Sequence, residues 1–232
     1  MEEQTLYAKE SKFEFGMIEV LYLGHIIEGK GVQVPQEKIE AIMEWPAPKT
    51  LIELRGFLGM CSYYRKFVKG FSQLCAALTD LTKKGAFKWD EEDQKMMDKM
   101  KKVMSTCPFL DLPDFSLPFT LECDASREGI GVIQMQKRHP LAYDSQRLRG
   151  PELLYNIYDK EMLDIMHALA KLQQYLVGAG FVVKSDHNSL KYLLEQKDLK
   201  ERQQKWVSII QAYDFDIEFV DEGQFRETSS SS

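Results

Sequence analysis

Three prolines within eleven residues, Pro108, Pro113 and Pro118 in CPFLDLPDFSLPF, divide the chain into two stretches of different pattern. Proline fixes φ and removes a backbone donor, so neither a helix nor a central strand runs through such a segment. Residues 111–118 read as a semi-rigid connector and as the main domain boundary. Upstream, the pattern is β and then helical. Residues 18–27 (IEVLYLGHII) form a β-rich run, Glu28-Gly29-Lys30-Gly31 carries turn glycines, and residues 32–34 make a short strand. Pro35 opens PQEKIEAIMEW, whose Ile39, Ile42 and Met43 recur at helical spacing before Pro46 and Pro48 stop it. Thr50 with Glu53 is a capping-box pattern opening TLIELRGFLGMCSYYRKFV, and further helices are predicted at FSQLCAALTDLT and DEEDQKMMDKMKKVMSTC. Residues 1–34 thus read as a hairpin and residues 35–110 as a small helical subdomain.

Beyond the connector the periodicity changes. Residues 119–123, 129–136 and 140–145 read as three strands. A long helix follows at 158–176, with Met162, Ile165, Leu169, Leu172 and Leu176 on one stripe. A buried-type strand at 181–185 (FVVKS), short helices at 189–194 and 201–212, and a last strand at 215–220 complete the pattern. Three strands, helix, strand, helices, strand predict one α/β domain over 119–220 with a mixed sheet. The polar tail 221–232, DEGQFRETSSSS, has the composition of a disordered end.

Composition narrows the function classes. A net charge of −6 excludes a basic nucleic-acid coat but leaves a local cationic stripe open. The four cysteines show no CxxC pair and no histidine at ligand spacing, which argues against zinc and disulfides and for a reducing intracellular compartment, cytoplasmic or nuclear. The start MEEQTLYAKE lacks the basic and apolar parts of a signal peptide, and no apolar run approaches 18 residues, so no membrane association is expected.

Three carboxylates sit where such a domain can bring them together. Asp124 ends the first strand of the α/β domain, Glu161 lies early in the long helix, and Asp186 follows the strand FVVKS. If those two strands are parallel neighbours, both aspartates meet at their carboxyl ends, where open α/β sheets place ligands. Three convergent acids ionise together only with cations, and their hard oxygens favour magnesium or manganese. Two such ions suit phosphodiester displacement. Each acid alone also has a plain structural meaning, as a cap, a turn residue or a dipole partner.

The wording around these acids goes further. LECDASREGIGVIQMQKRHPLAYDSQRL, IYDKEMLDIMHALAKLQQYLVG and FVVKSDHNSLKYLLEQKDLKERQQKWVSIIQAYDFDIEFV closely resemble the ribonuclease H domain of gypsy-type LTR retrotransposon polyproteins. LYAKESKFEFGMIEVLYLGH, VPQEKIEAIMEWPAPKTLIELRGFLGMCSYYRKFVKGFSQL and FKWDEE resemble the end of the reverse transcriptase palm followed by the thumb. The likeness covers about residues 5–220 in unbroken order. It implies a ribonuclease H-like five-stranded mixed sheet with flanking helices behind a thumb-like helical subdomain. It also implies a metal-dependent nuclease acting on RNA–DNA hybrids with two Mg2+ or Mn2+ ions. The family's catalytic and metal-binding acids match Asp124 (DAS), Glu161 (DKEML) and Asp186 (SDH). Ser126, Gly129 and Gly131 also match. Glycines there would let a nucleic-acid backbone approach or would serve a bulge. His187 is placed to contact substrate or to cap a helix. Tyr63, Tyr64, Arg65, Lys66 and Lys69 mix aromatics with cations, as surfaces that stack on a nucleic-acid strand do, although the two tyrosines also suit a core. The charges of KDLKERQQKW interleave in sign and read as a solvated, salt-bridged face.

The chain departs from the family in two places. No YxDD-like palm motif occurs, so DNA synthesis by this chain alone is not expected. After FDIEFV the family's helix with its fourth metal-ligating aspartate is replaced by the polar tail, and neither Asp221 nor Glu222 sits in a matching motif. A C-terminally truncated fragment is the reading. Gln134, Asp144 and Asp164 are smaller departures, Asp164 adding charge near the metals or facing solvent. A nuclease, a nucleic-acid-binding relic and a domesticated module with a protein partner all remain open.

Overall fold

The computed structural model describes residues 15–176, 180–185, 195 and 198–219. The run at residues 18–27 is two strands: β1 (Glu19–Tyr22) and β2 (His25–Glu28) pair antiparallel about Leu23-Gly24. Both turn residues take positive φ, 46° and 68°, as a tight two-residue hairpin requires. Gly24 adopts this freely and Leu23 does not. Anchors hold the strained turn: the Tyr63 hydroxyl and the His25 ring bond the Leu23 carbonyl, and the Tyr64 hydroxyl donates to the Gly24 carbonyl at 2.9 Å. The β-rich run shows no turn signal at this point, because leucine is not a turn residue and the anchors come from a distant helix.

β3 (Gly31–Gln33) pairs with β2, and β4 (Leu110–Asp111) returns to pair with β3, giving the sheet order β1-β2-β3-β4. Gly31 is held to glycine by this closure. A Cβ there would stand 2.1 Å from the Leu110 carbonyl oxygen and 2.5 Å from the Phe109 ring. Gly31→Ala must therefore push β4 away, and is expected to cost roughly 1–3 kcal/mol, read as a lower melting temperature by circular dichroism. An unchanged melting point would show that β4 gives way freely.

The helices are α1 (Gln36–Met43), α2 (Leu51–Tyr63), a 3-10 turn (Arg65–Phe67), α3 (Phe71–Leu74), α4 (Ala76–Asp80) and α5 (Glu91–Ser105). Thr50 caps α2 by accepting from the Glu53 amide at 3.3 Å, while the Glu53 carboxylate closes back on the Lys49 amide at 2.7 Å. Asp90 and Asp93 cap α5 reciprocally. The predicted helix FSQLCAALTDLT breaks at Cys75 (φ −89°, ψ 2°), and the short α3 lies against the second sheet. Ile42, Leu54, Phe57, Leu78 and Met100 share one core with Val34, just past β3, and with Leu110 of β4.

The second sheet follows the predicted order. It comprises β5 (Phe119–Ala125), β6 (Gly129–Gln136), β7 (His139–Arg147), β8 (Phe181–Ser185) and β9 (Phe215–Phe219), arranged β7-β6-β5-β8-β9. β6 and β7 are antiparallel, while β5, β8 and β9 run parallel. A 3-10 turn (Gly150–Leu154) leads into α6 (Ile157–Leu176), and α7 (Glu201–Ile210) precedes β9. The α6 stripe Met162, Ile165, Leu169 and Leu172 is buried with Phe119, Leu121, Cys123 and Val183 of the sheet. Alternation then sends Thr120, Glu122 and Asp124 to the other face.

The two parts are joined by more than the connector. Gln136, at the end of β6, accepts from the Asp114 amide at 2.9 Å and donates to the Asp114 and Leu117 carbonyls at 2.8 and 3.0 Å. Tyr143 of β7 packs on the helical core. Arg147 pairs with Asp80 at 2.7 Å. The expected helix at 189–194 and the tail 221–232 lie outside the described residues. All four cysteines are free, and among the described residues no helix is long and apolar enough to cross a membrane.

Candidate active site

Asp124 is the penultimate residue of β5, exposed, and opposite Gly131 of β6. On its other side the parallel pairing with β8 runs from Phe119–Phe181 to Glu122–Lys184. Asp124 therefore stands just past the last paired position, at the carboxyl end of two parallel strands, which is where α/β sheets bind ligands. Glu161, in the second turn of α6, is only 1% exposed. Its carboxylate accepts from the Ser185 hydroxyl at 3.0 Å. This bond fastens the start of α6 to the end of β8. Asp186 and His187 lie outside the described residues. Among the described residues, no three His, Cys, Asp or Glu side chains converge closely enough to hold an ion.

Asp164 corrects the sequence reading. It does not face solvent. It is 0% exposed, and both carboxyl oxygens lack a hydrogen-bond partner. Burial first, and then the Glu161 carboxylate, push its pKa well above the usual range. The backbone amides of Gly131 and Asp124 lean toward it and oppose the shift, but lie outside hydrogen-bonding geometry. Burial under the sheet thus disfavours the charged form of Asp164. Its i, i+3 spacing from Glu161 was the available signal that both share a face. The adjacent Cys123 thiol is also pushed up, by burial and then by Asp164 and Glu161.

The remaining expected site residues divide. Ser126 is exposed and closes a tight turn: its hydroxyl donates to the Gly129 carbonyl at 2.9 Å and accepts from the Gly129 amide at 3.1 Å. Gly129 does not leave room for nucleic acid, because a Cβ there would sit 2.1 Å from Nε2 of Gln73, whose side chain fills the space. Gly131 is open, its nearest neighbour being the Asp124 carbonyl oxygen at 3.7 Å. Tyr64 is not a stacking platform. It is 1% exposed and takes the core alternative, its hydroxyl bound to the hairpin turn. Tyr63 is 53% exposed, although its hydroxyl holds the same turn. Arg65 is exposed on the 3-10 turn.

The other departures find partners of their own. Asp144 sits within β7, 2.9 Å from His167 Nε2. Burial raises it, but the His167 hydrogen bond and charge outweigh that and hold it below the usual carboxylate range. Gln134 is buried beside a register shift in β6, its Nε2 without a partner. In α7, Lys205 pairs with Glu201 at 2.7 Å, as a solvated face would. Arg202 instead turns to Asp159 and lies 4.3 Å over the Tyr155 ring.

A small cleft of about 90 Å3 opens on the Asp124 face. Asp124, Ser126 and Gly131 of the sheet line it together with Lys69, Gly70 and Gln73 of the helical part. Sequence reading grouped Lys69 with Tyr63–Lys66 and gave no sign that it meets Asp124.

Comparison with known proteins agrees with this architecture. Residues 114–213 match the RNase H-like domain found in reverse transcriptase. The chain is 32% identical over 221 residues to the retrovirus-related Pol polyprotein from transposon 297 of Drosophila melanogaster, covering 94% of this chain and 21% of that protein. The Pol polyprotein from transposon gypsy of the same species is 32% identical over 223 residues, covering 90% and 21%. The chain thus spans about a fifth of the length of these relatives. Among solved structures, the foamy viral protease-reverse transcriptase in complex with an RNA/DNA hybrid aligns with a TM-score of 0.76 at 26% identity, over 87% of this chain and 29% of that one. The same enzyme with double-stranded DNA gives 0.79 at 25%, over 89% and 45%. At 87% and 89% of the chain, both alignments extend beyond the second sheet. The chain matches the region of gypsy-type retrotransposon Pol polyproteins that carries the reverse transcriptase RNase H-like domain.

Proposed function

We propose that this chain carries a ribonuclease site for the RNA strand of RNA–DNA hybrids, with Asp124, Glu161 and Asp186 as the residues that hold two Mg2+ or Mn2+ ions. The observation that carries the reading is the Ser185–Glu161 hydrogen bond. It ties α6 to the end of β8, one residue before Asp186 and beside the strand that bears Asp124. The same reading assigns residues 1–34 to the end of a palm, 35–110 to a thumb, 111–118 to a connector and 119–220 to the nuclease domain.

The donor chemistry fits the ions. Carboxylate oxygens are the hard ligands that Mg2+ and Mn2+ prefer, and the nearby soft ligand, Cys123, is kept a neutral thiol by burial. When bound, the metals supply Lewis-acid stabilisation and an acidic water for attack on phosphorus. The chain's own groups prepare the place. Ser185 orients one Glu161 oxygen, the buried α6 stripe fixes the helix against the sheet, and Asp124 presents an exposed carboxylate at the strand end. A hybrid is recognised by its shape and its 2′-hydroxyls, not by base sequence. The foamy viral enzyme seen with an RNA/DNA hybrid supports that substrate class.

The test is incubation of an end-labelled RNA–DNA hybrid with the chain in Mg2+, in Mn2+ and in EDTA. Cuts confined to the RNA strand and dependent on metal are expected. A hybrid that is shifted in a binding gel but never cut would replace the nuclease by a binding function. Neither cutting nor shifting would overturn both.

A further inference from the structure

We propose that Lys69, from the helical part, contacts a substrate phosphate at the Asp124 cleft, so that one nucleic-acid site is built from both halves of the chain. The inference rests on the hybrid-binding function above and adds a residue that neither the family motif nor the carboxylate pattern indicates.

Lys69 and Asp124 line the same small cleft, one from each half of the chain. The lysine is held there by a rigid loop. Phe67, Val68 and Phe71 are buried on either side of it, while Lys69 itself is exposed. Gly70 takes φ of 64°, a conformation natural to glycine, and its carbonyl accepts from the Gln73 and Leu74 amides at 3.1 and 3.0 Å. The loop is also pinned to the sheet. The Ser72 amide donates to the Ser145 hydroxyl at 2.9 Å, and Gln73 Nε2 reaches the Ile130 carbonyl at 3.4 Å. Gln73 occupies the space that a side chain at Gly129 would need.

Physical need and geometry agree. A phosphodiester approaching this face meets the carboxylate of Asp124 and the nearby Glu122, which repel it. A cation in the same cleft offsets that repulsion, and Lys69 makes no ion pair with the described residues. Its charge already acts on Glu122, whose carboxyl is raised by burial and opposed by Lys184, Lys69 and Arg138. A lysine on a pinned loop gives up less freedom on binding than one on a mobile segment. Lysine serves here as a point charge for phosphate and carries no base information.

The experiment is fluorescence anisotropy of a labelled RNA–DNA hybrid with the full chain in EDTA, over a series of salt concentrations. Lys69→Gln is expected to weaken binding about three- to tenfold near 0.1 M salt, and to reduce the salt slope by about one. Lys69→Arg should restore both. Lys102→Gln, at an exposed lysine of α5 outside the cleft, should change neither. An unchanged slope in Lys69→Gln would overturn the contact. A chain that binds the hybrid in this way but does not cut it in Mg2+ keeps the Lys69 contact and loses the nuclease function. A chain that does not bind the hybrid loses both.

Discussion

Asp124→Asn is expected to reduce metal-dependent cleavage of a hybrid by at least about 100-fold, because groups that merely orient metal ligands already cost about 10–100-fold when removed. The substitution keeps the shape of the side chain and removes the charge that holds a cation. Asp124 is exposed at the end of β5, and its side chain supports no part of either core. Stability should therefore stay within about 0.5 kcal/mol, as for most surface changes. A second readout separates metal loss from any other defect. Mg2+ binding to the native state raises the melting temperature by mass action, and that rise should shrink or vanish in the asparagine protein. Cleavage that survives Asp124→Asn would remove Asp124 from the site, whatever the fate of the hybrid-binding function.

Asp164→Asn is expected to make the chain more stable at pH 8, by about 1.4 kcal/mol for each unit by which the fold raises the Asp164 pKa. The sign follows from proton uptake. Burial and the Glu161 carboxylate raise the Asp164 pKa in the folded chain, while the unfolded chain releases this proton near pH 3.9. Above that pH the unfolded state binds fewer protons than the native state, so this residue lowers stability as pH rises toward its folded value. Below about pH 4 both states hold the proton and the penalty disappears. Urea unfolding in EDTA should therefore give matching stabilities near pH 4 and a gap that opens toward pH 8. A constant gap across that range would mean that Asp164 is ionised in the folded chain.

The sheet was legible because its periodicities are clean. Phe119, Leu121 and Cys123 alternate, and Met162, Ile165, Leu169 and Leu172 recur at helical spacing, so strand and helix follow from which face must be buried. Asp124 and Glu161 stood out as candidates for a second reason, since they stand in motifs whose wording resembles a known family. What the sequence hid depends on contacts between distant segments. Leu23 carries no turn signal, and only the Tyr63 and Tyr64 hydroxyls explain how it tolerates positive φ. The same contact took Tyr64 away from nucleic acid. Gly129 looked like a place for a backbone to approach, and the approaching group is the Gln73 side chain. Asp164 was visible on the Glu161 face of its helix, but the depth of its burial comes from the strands above it. Lys69 could not be connected with Asp124 from one-dimensional spacing, because the connection runs through the docking of α3 on the sheet.

Gln136 gives the proline-rich segment a mechanical meaning. Three hydrogen bonds clasp that segment to β6, so the stretch that separates the two patterns in sequence does not act as a hinge in space. With Tyr143 and the Arg147–Asp80 pair also spanning the seam, rotating one half against the other would break polar and apolar contacts together. For a nuclease of the proposed kind, the fold then serves as a ruler. The interval between the phosphate held by Lys69 and the one presented to Asp124 is set by the protein, so cutting would fall at a defined distance from the Lys69 contact.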